Sequence, residues 1–110
     1  MSASVEVEWT DGAKADLREI VEYIAQDSPE AALRTLRRMR KTAESLDVLP
    51  RRGRPIPELV ALGDPAFREL LLVPWRIAYR LVGRKVSVFA VVDARRAAAA
   101  LLIERASRRT

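Results

Sequence analysis

The sequence predicts an α+β domain: an N-terminal strand, a helical hairpin, a three-stranded antiparallel meander and a C-terminal helix. Three observations lead there. Apolar residues recur at the helical period from Ala13 to Leu46, and a Ser-Pro break divides that stretch in two. From Phe67 to Val92 the period changes to that of strands. One hundred and ten residues suit a single domain, residues 1–110, because halving the chain would leave neither piece a core. A hydrophobic share of 49% against 32% charged residues places the chain among those that fold.

Taken in order, Val5, Val7 and Trp9 alternate with Glu6 and Glu8, a strand with one buried face. Thr10 or Asp11 can cap the helix that follows, whose stripe is Ala13, Leu17, Ile20, Val21 and Ile24. Asp16, Glu19 and Glu22 face away from that stripe. Ser28-Pro29-Glu30 combines a cap, a proline at the first helical position and an acid at the positive helix end. The second helix is expected to run to about Val48, with Ala32, Leu36, Met39, Ala43 and Leu46 inward and Arg34, Arg37, Arg38 and Lys41 outward. The short connection makes the two helices antiparallel neighbours. Leu17 and Leu36 are expected between the hairpin and the sheet, and the acidic and basic outer faces of the helices are expected to cross-pair.

Three prolines and a glycine from Leu49 to Pro57 are expected to exclude both helix and strand there, and residues 58–65 suit at most a turn of helix. Phe67–Val73 forms a strand closed by Pro74. Trp75, Ile77, Tyr79 and Leu81 alternate along the next, placing Arg76 and Arg80 together on the other face. Gly83-Arg84 suits a type II′ hairpin turn, and Val86, Val88, Ala90 and Val92 form the third strand. With the hairpin on one face, the opposite sheet face is expected to be more polar. The alanine-rich segment after Arg96 favours a basic C-terminal helix and tail, residues 97–110. It is expected to act as a contact surface whose removal leaves a folded domain.

The charges are unevenly placed. Lys and Arg number 20 against 15 Asp and Glu, a net of +5. Residues 1–30 carry a net −6 and residues 31–110 a net +11. The latter will attract polyanions or an acidic partner. Cys and His are both absent, which excludes thiol nucleophiles, disulfides, the usual zinc sites and histidine bases. The charged N-terminus lacks a signal-peptide pattern, no apolar run is long enough for a membrane span, and the lack of Cys fits a cytoplasmic setting. No phosphate-binding glycine loop is present, no metal site is expected beyond an isolated Asp93, and no cofactor is expected. The candidates that remain are arginines: Arg51, Arg52 and Arg54 before the meander, Arg68, Arg76 and Arg80 within it, and Arg95 and Arg96 after it. Arginine holds phosphate bidentately but cannot act as a general base. An alternative role for Arg76 and Arg80 is a charge on an edge strand that discourages aggregation.

Phe67-Arg68-Glu69-Leu70, then Trp75-Arg76-Ile77-Ala78-Tyr79-Arg80, then Val88-Phe89-Ala90-Val91-Val92-Asp93-Ala94-Arg95-Arg96 resemble, in order and spacing, the RelE/ParE toxin superfamily of type II toxin–antitoxin systems. The N-terminal half is similar as well, from Ala13 to Ile24 and at Ser28-Pro29-Glu30-Ala31-Ala32. The resemblance implies that the first strand lies beside the last, and that a cognate antitoxin, ParD-like or related, neutralises the chain. It also implies one of two targets. RelE-like members cut mRNA on the ribosome, and ParE-like members poison DNA gyrase. Arg68, Arg76 and Arg96 match basic positions of the nuclease set, but Leu70 stands where that set has a second lysine, and the C-terminal tyrosine position falls near Leu102. The helix opening Ser28-Pro29 resembles the ParE branch. The resemblance therefore implies a gyrase inhibitor with a role in stress response, with ribosome-dependent endoribonuclease or a non-toxic binding module as alternatives. On this reading Arg76, Arg80, Arg95, Arg96 and Arg105 contact the target, while Trp75, Arg37 and Arg68 contact the antitoxin.

Overall fold

A computed structural model describes residues 5–108. The chain forms β1 (Glu6–Trp9), α1 (Asp11–Ala25), α2 (Pro29–Glu44), a 3₁₀ turn (Ser45–Asp47), β2 (Arg54–Pro55), α3 (Pro57–Val60), β3 (Phe67–Leu72), β4 (Trp75–Val82), β5 (Lys85–Asp93) and α4 (Ala99–Ala106). The caps are where their chemistry places them. Thr10 accepts the Ala13 amide at 3.2 Å and Ser28 the Ala31 amide at 3.1 Å. Helix α2 stops at Glu44 rather than Val48. The tighter turn that follows buries Leu46 completely and lets the Asp47 carbonyl accept the Val5 amide at 2.9 Å.

The sheet order is β1-β5-β4-β3-β2. Strand β1 runs parallel to β5, with Val7 opposite Val86, and the remaining pairs are antiparallel. Gly83 turns β4 into β5 at φ 61°, and Arg84 stays at negative φ, as a type II′ turn requires. Two residues of the proline-rich segment do form a strand: Arg54 lies opposite Glu69 and Pro55 opposite Arg68. A proline is tolerated there because β2 is the sheet edge. Pro57 then opens α3, where a missing N–H costs nothing.

Helices α1 and α2 cover one face over a core of Leu17, Met39, Leu46, Leu70, Ile77, Tyr79, Val86, Val88 and Val91. The other face is not polar. Helices α3 and α4 cover it over Ile56, Leu59, Phe67, Ala78, Phe89, Ala90, Val92 and Leu102. The cause is a bulge: Ala78 pairs with Ala90 but Tyr79 with Val88, so Phe89 is the extra residue and the facing of β5 changes there. Helix α4 is consequently part of the core. Leu102 is fully buried, so the C-terminal segment is not a separable contact surface; Arg109, assigned to it from the sequence, lies outside the described residues.

Beyond Trp9, β5 has no strand neighbour on its β1 side. Helix α1 takes that place, and Asp16 accepts the Val91 amide at 2.9 Å. The expected cross-pairing of α1 and α2 is absent: among the described residues no ion pair joins their outer faces.

Candidate functional site

The sheet face under α3 holds a built charge cluster. Arg76 and Glu69 sit on interior strands β4 and β3, and both are buried. Arg76 Nε donates to Glu69 Oε1 at 2.8 Å, and its Nη1 donates to Glu58 Oε2, on α3, at 2.7 Å. Glu69 Oε2 accepts from Arg54 at 2.7 Å, so β2 joins the cluster. The Arg76 hydrogen bond holds the Glu58 carboxyl below its ordinary range, against the opposing pull of burial. Hydrogen bonding to Glu58, and secondarily to Glu69, raises the Arg76 guanidinium above its usual value. Arg76 is therefore no edge-strand charge. β4 is an interior strand, and the Arg76 guanidinium is committed to two carboxylates.

The other sequence candidates fall in four places. Arg68 turns back to the loop before β2 and donates to Gly53 O at 2.7 Å. In that loop Gly53 is needed for close approach: a Cβ there would lie 2.6 Å from the Tyr79 hydroxyl. Tyr79 is fully buried, its hydroxyl accepts the Gly53 amide at 3.0 Å, and desolvation raises its pKa. Arg80 lies over the Phe67 ring at 6.0 Å. Arg105 on α4 wraps the open β5 edge, donating to Asp16 at 2.6 and 2.9 Å and to Phe89 O at 3.1 Å. The Asp16 hydrogen bond raises the Arg105 pKa.

Arg95 and Arg96 are exposed in the turn after β5. Arg95 chelates Asp93 at 2.9 and 2.7 Å, which holds that carboxyl down at about 2. Trp75 pairs with Asp93 across the strands, the Ala94 amide donates to Pro74 O at 2.7 Å, and the Asp93 hydrogen bond, with a lesser contribution from Tyr23 on α1, raises the Arg95 pKa. This end of the sheet thus gathers Arg95, Arg96, half-buried Trp75 and the largely exposed side chains of Tyr23 and Val73. Arg68, Arg76 and Arg96, one per strand or turn in the sequence, are differently engaged: Arg68 by Gly53 O, Arg76 by Glu58 and Glu69, while Arg96 is exposed.

A groove of about 760 Å³ opens between β1 and the helical hairpin. Trp9, Leu17, Val21 and Leu36 line it, and Glu8, Lys14, Arg18 and Arg40 rim it. Leu36 is half-buried at this groove rather than sealed in the core. Trp75 is not part of the lining, and exposed Arg37 sits one residue from Leu36. Sequence reasoning missed the groove, and it missed Glu58, Glu69 and Asp16 as structural anchors. Asp16 carries no local signal, because its partners are 75 and 89 residues away. Among the described residues no cluster of three potential metal ligands occurs, and no helix is long and apolar enough to cross a membrane.

Residues 7–98 match the family described as the ParE toxin of the type II toxin–antitoxin system parDE. The toxin RelE2 of Caulobacter vibrioides is 44% identical over 69 residues, covering 63% of this chain and 70% of that protein. A structure of the chromosomal ParDE toxin–antitoxin system from P. aeruginosa superposes with a TM-score of 0.68 at 25% identity, covering 84% of this chain and 98% of that one. The toxin–antitoxin complex RelBE2 of Mycobacterium tuberculosis shares the fold, with a TM-score of 0.59 at 20% identity over 82% of this chain and 98% of that one. Strand, hairpin, meander and closing helix thus define a toxin of a type II toxin–antitoxin system, within the ParE/RelE superfamily. The chain belongs to the ParE toxin family.

Proposed function

We propose that the chain is a toxin directed at DNA gyrase and held inactive by a cognate antitoxin. The observation that carries the target choice is the internal commitment of Arg76. Cleavage of RNA by its own 2′-hydroxyl needs one group to take a proton and another to give one, each contributing about 10²–10⁴-fold. The chain has no His. Tyr79 is buried with its hydroxyl on Gly53, exposed Tyr23 lies on α1 and not on the arginine-bearing strands, and Arg76 is held by Glu58 and Glu69. Arginines that remain free stabilise phosphate charge but do not move protons at neutral pH. A target that is bound rather than cleaved fits what the surface offers: Arg95, Arg96, Trp75, Val73 and Tyr23 at one end of the sheet. Arg80 and Arg105 are engaged by Phe67 and Asp16 instead, and Arg80 lies at the far end of β4 from Trp75.

The groove between β1 and the hairpin suits an antitoxin segment with apolar side chains and acidic flanks, matching Leu36 and Trp9 within a largely basic rim. The ParDE and RelBE2 systems among the structural relatives each comprise a toxin with its antitoxin, which supports such a partner. The test is purified chain added to a gyrase supercoiling assay and, separately, to ribosomes translating a defined mRNA. Gyrase inhibition or trapped cleaved DNA, weakened by Arg96→Ala, is expected. The similarity to the toxin RelE2 makes the second readout decisive. Site-specific mRNA cleavage with gyrase unaffected would assign the chain to the nuclease branch.

A further inference from the structure

Helix α2 presents two different flanks. With 3.6 residues per turn, Leu36 and Arg40 share the flank that lines the groove, and Arg37 lies beside it. Arg34, Arg38, Lys41 and Ser45 follow at intervals of four, three and four on the opposite flank. Arg34, Arg38 and Lys41 are all exposed. The exposed Arg52 side chain extends the row, because its Nη2 donates to Ser45 Oγ at 2.6 Å. The row is roughly 16 Å long from Arg34 to Ser45 at 1.5 Å per residue. Among the described residues none of Arg34, Arg38, Lys41 and Arg52 has a carboxylate partner, although α1 carries a surplus of acids on the neighbouring helix.

We infer that this flank of α2 is a docking surface for the phosphate backbone of duplex DNA, independent of the groove and of the gyrase reading. Four cations in a straight, rigid row complement a regular polyanion. Single-stranded nucleic acid is held by aromatic side chains on which its bases stack, and the α2 sequence from Pro29 to Glu44 contains no aromatic residue. Acidic protein segments need apolar anchors as well, and the exposed apolar side chain of α2, Leu33, falls on the groove flank by its spacing from Leu36 and Arg40. The contact reads charge and shape, not sequence.

The experiment is fluorescence anisotropy of a labelled duplex of mixed sequence, about one helical turn or two in length, titrated with the full chain at several salt concentrations. Four phosphate contacts give a slope of log affinity against log salt of about −3 to −4, hence roughly a hundredfold loss between 50 and 200 mM. The variant Arg34→Gln/Arg38→Gln/Lys41→Gln, whose sites are exposed and whose fold is checked by its circular dichroism and melting temperature, is expected to reduce the slope to about −1. Arg84→Gln, in the β4–β5 turn, is expected to leave it unchanged. Absence of binding at 50 mM salt, an unaltered slope in the triple variant, or equally tight binding of polyglutamate or of a single strand would overturn the inference. Because the duplex is naked, failure here leaves the gyrase assay untouched, and failure of the gyrase assay leaves this measurement standing.

Discussion

The two faces of the sheet reach the same degree of burial by different physics. Under the helical hairpin Leu17, Met39, Ile77, Val86 and Val88 meet, and the two buried charged residues among those described, Glu69 and Arg76, lie on the other face. Under α3 and α4, Phe67, Phe89 and Leu102 lie on the same face as Arg76 and Glu69, whose charges depend on each other and on Glu58. The apolar face loses stability in proportion to the volume removed. On the charged face, removing one partner leaves a buried ion uncompensated, whereas replacing the whole group together is far milder.

The largest expected effect tests that difference directly. Arg76→Ala should cost about 3 kcal/mol in a denaturant melt, because buried Glu69 then keeps only the half-exposed Arg54 as a partner. Arg76→Met combined with Glu69→Gln should recover part of that loss. If the single and double variants melt alike, the cluster is not coupled as its geometry requires.

Similar in size is Leu102→Ala, with an expected cost of about 2–5 kcal/mol for a fully buried leucine. Truncation after Arg96 should unfold the chain for the same reason. A folded truncate would return α4 to the role of a detachable appendage. Gly53→Ala should cost about 1–3 kcal/mol, since the added carbon meets the Tyr79 hydroxyl and the Glu69 carbonyl. Leu36→Ala should cost only about 1 kcal/mol, because its half-exposed side chain has less to lose than a sealed one. Its larger effect should be on antitoxin affinity, measured by calorimetry.

The smallest effect is the part of the pH dependence that comes from the charged face. Glu58 has a lowered pKa in the fold, so its contribution is present above the unfolded carboxylate value near 4. It is lost as pH falls through the lowered folded value. Melting temperature should therefore drop below about pH 4, and Glu58→Gln should flatten that part of the profile. A variant with an unchanged acid limb would show that other carboxylates dominate.

Much of the fold is legible because its signals are local. Thr10 and Ser28 cap helices from three residues away, Gly83 turns the hairpin, and the periods of α1, α2, β4 and β5 stand out within windows of a dozen residues. The family resemblance also rests on such local order and spacing, and it implied the β1–β5 neighbourhood correctly. What it could not supply is which arginines are free. Arg76, Arg96 and Arg105 look equivalent in the sequence, yet one is clamped by Glu58 and Glu69, one is exposed, and one is held by Asp16.

By itself, then, the sequence determined the helical hairpin, the meander, the closing helix, their order and the basic character of everything after residue 30, but not β2, since propensity, capping and alternation act between near neighbours. Tertiary structure alone decided the second core, the groove beside Trp9 and the pairing of charges. A one-residue bulge at Phe89 changes which side chains share a face, and an ion pair such as Asp16–Arg105 depends on a chain path of 89 residues closing to within a hydrogen bond.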